Sequence, residues 1–162
     1  MPVYIGGIVV CQLAHVTNTI LNKAKVERVP ISQMKLQKLL YFLYKEYIQE
    51  TGKPLFPERF EPWEYGPVIS EVYYAFKDSG SKSLTRYLPD AEGKYQMINC
   101  DDNTEFGRIF NSVWNRYKNY SGIELSKLSH SQGGAWRKAV FNNNIFLTDS
   151  DIQNEPIYQV QR

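Results

Sequence analysis

The feature that most constrains the fold is a long amphipathic stretch, SQMKLQKLLYFLYKEYIQETG, at residues 32–52. Its leucines and Tyr47 recur at helical spacing, which predicts one apolar helix face. Ser32 supplies an N-cap hydroxyl at the start, and Gly52 followed by Pro54 is the usual order of residues at a helix end. Charged side chains fill the other side, which we expect to face solvent: Lys35, Lys38, Lys45, Glu46 and Glu50.

Helical spacing recurs through most of the chain. An earlier helix is predicted from Val9, Leu13, Val16 and Ile20, and a later one from Thr104, a capping residue. Shorter helices are expected near 67–79, 123–130 and 135–141, with a frayed helix from 148. The sequence therefore predicts a mostly α, compact single domain over residues 1–162, with one or two short β-strands near 58–66 and 94–98.

The stretch FEPWEYGPVIS at 60–70 departs from helical spacing. Its two prolines favour a short extended segment or edge strand. Gly66 can take a backbone conformation that other residues avoid, and Pro67 is predicted at the first position of the next helix. Trp63 and Tyr65 share one side of such a segment. Rigid aromatic residues serve in cores and at binding interfaces alike, so both roles stay open for Trp63.

Composition narrows the function classes. The hydrophobic fraction of 43% and the length of 162 residues fit a packed globule, and a net charge of +2 disfavours nucleic-acid binding. Cys11 and Cys100 are far apart, which argues against a disulfide scaffold and for a reducing compartment. The chain shows no signal-peptide pattern and no apolar run long enough to cross a bilayer. We therefore expect a cytoplasmic protein.

The sequence limits metal and catalytic chemistry. Two distant cysteines and two distant histidines do not supply the four ligands of a structural zinc site, and no phosphate-binding glycine pattern is present. We therefore expect no metal and no cofactor. His130 lies between Ser129 and Ser131, so it either ends a helix or acts as a catalytic base. The second alternative keeps open a small hydrolase or transferase that uses His130 with a neighbouring serine.

The chain carries in this order the segments KLQKLLY, WEYGPV and LSKLSHSQGGAWRKAV. This ordered set of motifs resembles the Panacea domain of the SocA-like antitoxins, a family that also includes phage-associated proteins. The segment LSKLSHSQGGAWRKAV is similar to the family's Leu-Ser-x-Leu-Thr-His segment, with Ser129 in place of the usual threonine and two glycines in place of more acidic or prolyl residues. The resemblance covers roughly residues 8–150. The other matching stretches are KLQKLLY at 35–41, TGKPLF at 51–56, WEYGPV at 63–68 and the tyrosine-rich EVYYAF at 71–76.

The resemblance implies a binding protein and not an enzyme. Members are antitoxins that neutralise a toxin encoded beside them, and one branch is an adaptor that delivers its toxin to the ClpXP protease. It therefore implies a cognate toxin and, for an adaptor, ClpXP as partners. From the near-balanced charge and the lack of a long apolar run, we do not expect a nucleic-acid or membrane partner. A phage-related regulatory binding protein is a further alternative. The candidate partner-binding or motif residues are Trp63, Tyr65, Gly66, Pro67, Tyr73, His130 and Trp136.

Overall fold

A computed structural model describes residues 3–156 and confirms a mostly helical fold. Two short antiparallel β-ribbons accompany the helices, β1 with β2 and β3 with β4. A single 3-10 turn, Lys77–Ser79, follows the third helix. The elements are β1 Val3–Ile5, β2 Ile8–Val10, α1 Leu13–Glu27, α2 Gln33–Thr51, β3 Glu61–Trp63, β4 Gly66–Val68, α3 Ser70–Phe76, α4 Glu105–Tyr117, α5 Gly122–Ser129, α6 Ala135–Phe141 and α7 Asp149–Gln153.

Helix α2 is the centre of the fold, and its predicted caps are confirmed. The Ser32 side chain accepts a hydrogen bond from the Lys35 amide, and Gly52 ends the helix with a φ of 71°. The helix packs against α1, α4, α5, α7 and β4. Its apolar residues lie inside the hydrophobic core together with side chains from α1 and α4, among them Leu36, Leu40, Val16, Ile20, Phe110 and Trp114.

The prediction that the charged side of α2 faces solvent is wrong for its three lysines. Lys35, Lys38 and Lys45 are all buried. Their ammonium groups reach backbone carbonyls of other elements, and Lys35 Nζ donates to the Lys118 oxygen at 2.5 Å. Lys45 Nζ also lies 3.5 Å from the buried Glu155 carboxylate. Because α2 is surrounded by other elements, its lysine positions face protein, and each buried ammonium needs a partner there.

The N-terminal prediction is correct for α1 but wrong for Val9. The spacing placed Val9 on the helix, whereas it lies in β2 opposite Tyr4. Gly6 and Gly7 have φ values of 54° and 82°. Two successive residues with positive φ form the tight turn that joins the strands of a hairpin, so the chain reverses before α1 begins. Leu13, Val16 and Ile20 are buried on α1 as predicted.

The predicted strand near 58–66 is confirmed as the β3–β4 hairpin, but Pro67 does not begin a helix. It lies in β4 directly opposite Pro62, and α3 begins at Ser70. The neighbouring pair, Trp63 and Gly66, closes a two-residue loop and is the hydrogen-bonded pair. The two prolines therefore occupy the alternate pair, where a missing N–H breaks no bond of the ribbon.

The second strand considered near 94–98 is not formed in the described chain. The backbone of this segment is bound by α1 side chains instead. The Ile98 amide donates to Thr19 Oγ1 at 2.9 Å, and Asn18 Nδ2 donates to the Gln96 oxygen at 3.3 Å. These bonds replace a strand ladder. Near the C-terminus, Thr148 caps α7, and residues 157–162 of the expected frayed tail lie outside the described residues.

Candidate protein-binding site

The β3–β4 hairpin is held tightly at Gly66. This glycine has a φ of 109°, a conformation that side-chain-bearing residues rarely adopt. A Cβ at this position would lie 2.4 Å from Ser129 Oγ and 2.9 Å from Lys38 Cε. The hairpin backbone therefore sits directly on α2 and α5, and glycine is required here by both conformation and space.

Helix α2 binds the end of the hairpin through two polar side chains. Lys38 Nζ donates to the Pro67 oxygen at 3.0 Å. The Gln37 amide binds the backbone of Ile69 twice, donating to its oxygen at 3.0 Å and accepting from its N–H at 2.9 Å. These bonds satisfy buried backbone groups in an extended segment that has no further strand beside it among the described residues.

Helix α5 binds the tip of the hairpin. Ser126 Oγ donates to the Tyr65 oxygen at 2.5 Å. The adjacent buried hydroxyl, Ser129 Oγ, donates to the Ser126 oxygen at 2.6 Å. The tip residues Glu64 and Tyr65 remain exposed although their backbone is fixed. The hairpin is thus a rigid support for the side chains that it presents.

Two groups of contacting rings lie on α3 and the hairpin and at α6, joined by a hydrogen bond to the Trp63 backbone, and we call them together the aromatic strip: Tyr74, Tyr73, Trp63, Trp136 and His130. The ring centroids of Tyr74 and Tyr73 lie 5.3 Å apart, and those of Tyr73 and Trp63 lie 4.8 Å apart. Trp136 Nε1 donates to the Trp63 oxygen at 2.7 Å, and the Trp136 ring lies 4.0 Å from that of His130. Each ring is therefore positioned by its neighbour.

The strip offers contact area to a partner. Tyr74 is 66% exposed, and Tyr65 at the adjoining hairpin tip is 58% exposed. Trp63, Tyr73 and Trp136 are half-buried. Large aromatic side chains with few rotatable bonds and a polar end are the residues that most often dominate protein–protein interfaces. Trp63, whose role the sequence left open, therefore belongs partly to the packed interior and partly to this surface.

Two titratable side chains at this site have lowered pKa values: Lys38 beneath the strip and His130 within it. Burial lowers the pKa of Lys38 to about 7. Burial also lowers the pKa of His130, and the neighbouring positive charges of Lys38 and Arg137 lower it further. His130 Nε2 is buried and has no hydrogen-bond partner. A neutral imidazole is therefore the favoured form of His130 near neutral pH.

The arrangement does not provide an activated serine. Ser129 Oγ donates to the Ser126 oxygen, and Ser131 Oγ donates to the Leu128 oxygen, each at 2.6 Å. Neither hydroxyl is bound to His130, whose ring packs on Trp136. The His130 hydrolase alternative thus lacks the nucleophile–base hydrogen bond that such chemistry uses. Residues 3–156 also contain no group of three metal-ligating side chains and no helix suited to crossing a membrane.

All seven residues that the sequence singled out lie at or beside the aromatic strip. Gly66 and Pro67 are buried beneath it, and the others form the strip and its tip. The sequence analysis missed Gln37 and Ser126, which bind the hairpin, and did not single out the exposed Tyr74. The sequence signal that could have found Gln37 is its position between Leu36 and Leu39, because both leucines belong to the apolar face of α2 and are buried.

Comparison with known proteins identifies relatives of the chain. The family model described as "Antitoxin SocA-like, Panacea domain" matches residues 36–137, which include most of α2, the hairpin and α5. The curated protein Antitoxin SocA of Caulobacter vibrioides (strain NA1000 / CB15N) is 31% identical over 124 residues, 75% of this chain. The matched part spans 66% of that relative's own length, just under two thirds. No solved structure matches the chain.

Proposed function

Because the chain belongs to the SocA-like antitoxin family with a Panacea domain, we propose that it is an antitoxin that neutralises a cognate protein toxin by binding it directly. The proposed toxin is the product of an adjacent gene, and the proposed site of action is the cytoplasm. The whole chain, residues 1–162, is proposed as one Panacea-like domain without enzymatic activity.

The exposed part of the aromatic strip is the observation that carries this proposal. Tyr74 stands in solvent on α3, whose N-cap residue Ile69 is bound by Gln37 of α2. Beside it, Tyr65 stands in solvent at the hairpin tip, where α5 binds its backbone from below. A surface that is already rigid loses little conformational freedom when a partner binds. We assign the toxin-binding surface to the strip and the hairpin tip, with Gly66 and Pro67 as positioning residues beneath them.

Delivery of the toxin to ClpXP is a more specific form of the same proposal. It requires the toxin surface and, in addition, a contact with the protease. The two mechanisms differ in stoichiometry, since a blocking antitoxin must match the toxin mole for mole, whereas an adaptor is released after each delivery. Degradation of purified toxin by ClpXP and ATP, with the antitoxin at one-tenth the toxin concentration, distinguishes them. Complete loss of toxin that occurs only when the antitoxin is present supports the adaptor, and persistence of the toxin whether or not the antitoxin is present supports blocking.

The direct test of the proposal is coexpression with the adjacent gene. We expect that gene alone to arrest growth, and coexpression of this chain to restore it. A tagged copy of the chain should then recover the neighbour's product as a stoichiometric complex. If growth stays arrested and no complex is recovered, the antitoxin function proposed for this chain and this neighbour is wrong.

A further inference from the structure

The β1–β2 ribbon is a second surface of the protein with unsatisfied bonding capacity. Its strands, Val3–Ile5 and Ile8–Val10, form a two-stranded sheet that no other described strand joins. An isolated two-stranded ribbon is only marginally stable in water, and a third strand adds the stability that it lacks. The family match begins at residue 36, so the ribbon lies outside the matched residues.

The register of the ribbon determines which backbone groups point outward. The turn at Gly6 and Gly7 makes Ile5 and Ile8 a hydrogen-bonded pair. Bonded and non-bonded pairs alternate in an antiparallel ladder. The next pair, Tyr4 with Val9, is therefore non-bonded, and its N–H and C=O groups point away from the ribbon, Tyr4 on the β1 edge and Val9 on the β2 edge.

The two edges differ in how far the protein itself covers them. Cys11 follows β2 and shares the outward orientation of Val9, and its N–H donates to the Leu55 oxygen at 2.9 Å. The chain at Leu55 thus covers the end of the β2 edge. On the other side, Val3 of β1 borders an open cleft of about 420 Å³. The β1 edge is the accessible one.

The ribbon also lacks the usual protection against edge pairing. Lysine or other charged side chains on an exposed edge strand normally prevent it from pairing with another chain. Residues 1–22 contain no Asp, Glu, Lys or Arg. Tyr4 and Val9 are 58% and 61% exposed on the outer face, whereas Val10 on the inner face is 8% exposed. The ribbon itself therefore presents no charged side chain against edge pairing, and the carboxylates nearby, those of Glu58, Glu71 and Asp90, line the cleft that Val3 borders.

We propose that the β1 edge binds an extended segment of the toxin as a third β-strand, with main-chain hydrogen bonds to Tyr4. This inference rests on the proposed antitoxin function and adds a second contact to it. A second copy of the chain does not fit as the occupant. A three-residue strand is about 10 Å long, too short to bury the roughly 800 Å² per partner of a stable dimer.

The position of the ribbon allows one toxin to reach both surfaces. The cleft that Val3 borders is also lined by Glu71 and Ala75 of α3. The same helix carries Tyr73 and Tyr74 of the aromatic strip. The two contacts lie on either side of one short helix, and linking a weak strand pairing to a stronger contact raises the overall affinity.

Residue-resolved hydrogen exchange of the toxin complex tests the backbone contact. We expect the Tyr4 amide, which points outward, to become protected when toxin binds. The amides of Ile5 and Ile8 already bond within the ribbon and should change much less. If the wild-type complex forms while the Tyr4 amide exchanges as it does in the free protein, strand addition is wrong and the antitoxin proposal stands. If no complex forms, the proposed function fails first.

Two proline variants give a matched test by affinity. Tyr4→Pro removes the outward N–H of the β1 edge, and Val9→Pro makes the same change on the β2 edge without breaking the ribbon's own bonds. We expect toxin binding to weaken at least tenfold in Tyr4→Pro and less than threefold in Val9→Pro. Tyr4→Thr keeps the N–H and loses the ring, so it should bind better than Tyr4→Pro. Equal losses in both proline variants, or in Tyr4→Thr and Tyr4→Pro, overturn the proposal.

Discussion

Replacement of Gly66 by alanine tests the packing that supports the candidate site. The residue has a φ of 109°, and a methyl group there would lie 2.4 Å from Ser129 Oγ and 2.9 Å from Lys38 Cε. An unfavourable backbone conformation costs about 1–3 kcal/mol, and overpacking of a tight site costs about 1–3 kcal/mol more. We expect Gly66→Ala to lower the free energy of unfolding by about 2–6 kcal/mol.

Gly52→Ala is the matched control for the backbone contribution. Gly52 also has a positive φ, 71°, but no atom lies within 4 Å of its would-be Cβ. Its replacement should cost about 1–2 kcal/mol. The excess cost of Gly66→Ala then reports the steric contact together with the less favourable φ at residue 66. Adding Ser129→Ala to Gly66→Ala removes the closer of the two contacts, and the double variant should recover about 1 kcal/mol.

Urea denaturation followed by fluorescence measures these changes, with the unfolding free energy obtained by linear extrapolation. The comparison requires unchanged m-values, so that differences in midpoint report stability alone. If Gly66→Ala is no more destabilising than Gly52→Ala, the hairpin does not rest on Ser129 and Lys38. The rigid support proposed for the aromatic strip would then be refuted.

Three further changes test the buried polar contacts. Burial holds the pKa of Lys38 at about 7, below the roughly 10.4 of an unfolded chain. The unfolded state therefore binds more protons, and the free energy of unfolding should rise between pH 7 and about 10. Lys38→Met should reduce this rise, and an equal pH dependence in the two proteins would contradict the lowered pKa of Lys38. Trp136→Phe removes the donor to the Trp63 oxygen and should cost about 1 kcal/mol in urea denaturation; no loss means that the bond is not formed. Glu155→Ala leaves the buried Lys45 without its carboxylate and should cost about 3–5 kcal/mol by the same assay, whereas a change below 1 kcal/mol would show that the pair is unimportant.

Local chemistry made much of the fold predictable. The caps of α2 at Ser32 and Gly52 and the cap of α4 at Thr104 depend on residues that are close in sequence, and all three are confirmed. Val9 was placed wrongly because an apolar residue four positions before Leu13 fits a helix face as well as a strand. The tight turn at the two preceding glycines places this segment in a strand. Hydrophobic spacing alone does not detect such a turn.

Contacts between distant segments were not predictable in the same way. Lys38 was expected in solvent because lysine usually is, and its burial depends on β4 and α5 closing over α2. Gln37 and Ser126 bind backbone groups of the hairpin that lie tens of residues away. A backbone acceptor has no sequence signature, so these bonds appear only in three dimensions. The aromatic candidates were identifiable because motif and residue type both singled them out.

The measurement that tests the proposed binding surface most directly is the toxin affinity of Tyr74→Ala, determined by titration calorimetry. Val26→Ala is the control, because Val26 is 71% exposed and lies on α1, outside the aromatic strip. An interface anchor contributes about 2 kcal/mol or more, so Tyr74→Ala should weaken binding about 30-fold or more, with Val26→Ala unchanged. A wild-type affinity in Tyr74→Ala, and in the double variant with Tyr65→Ala, would contradict the assignment of the toxin-binding surface to the strip.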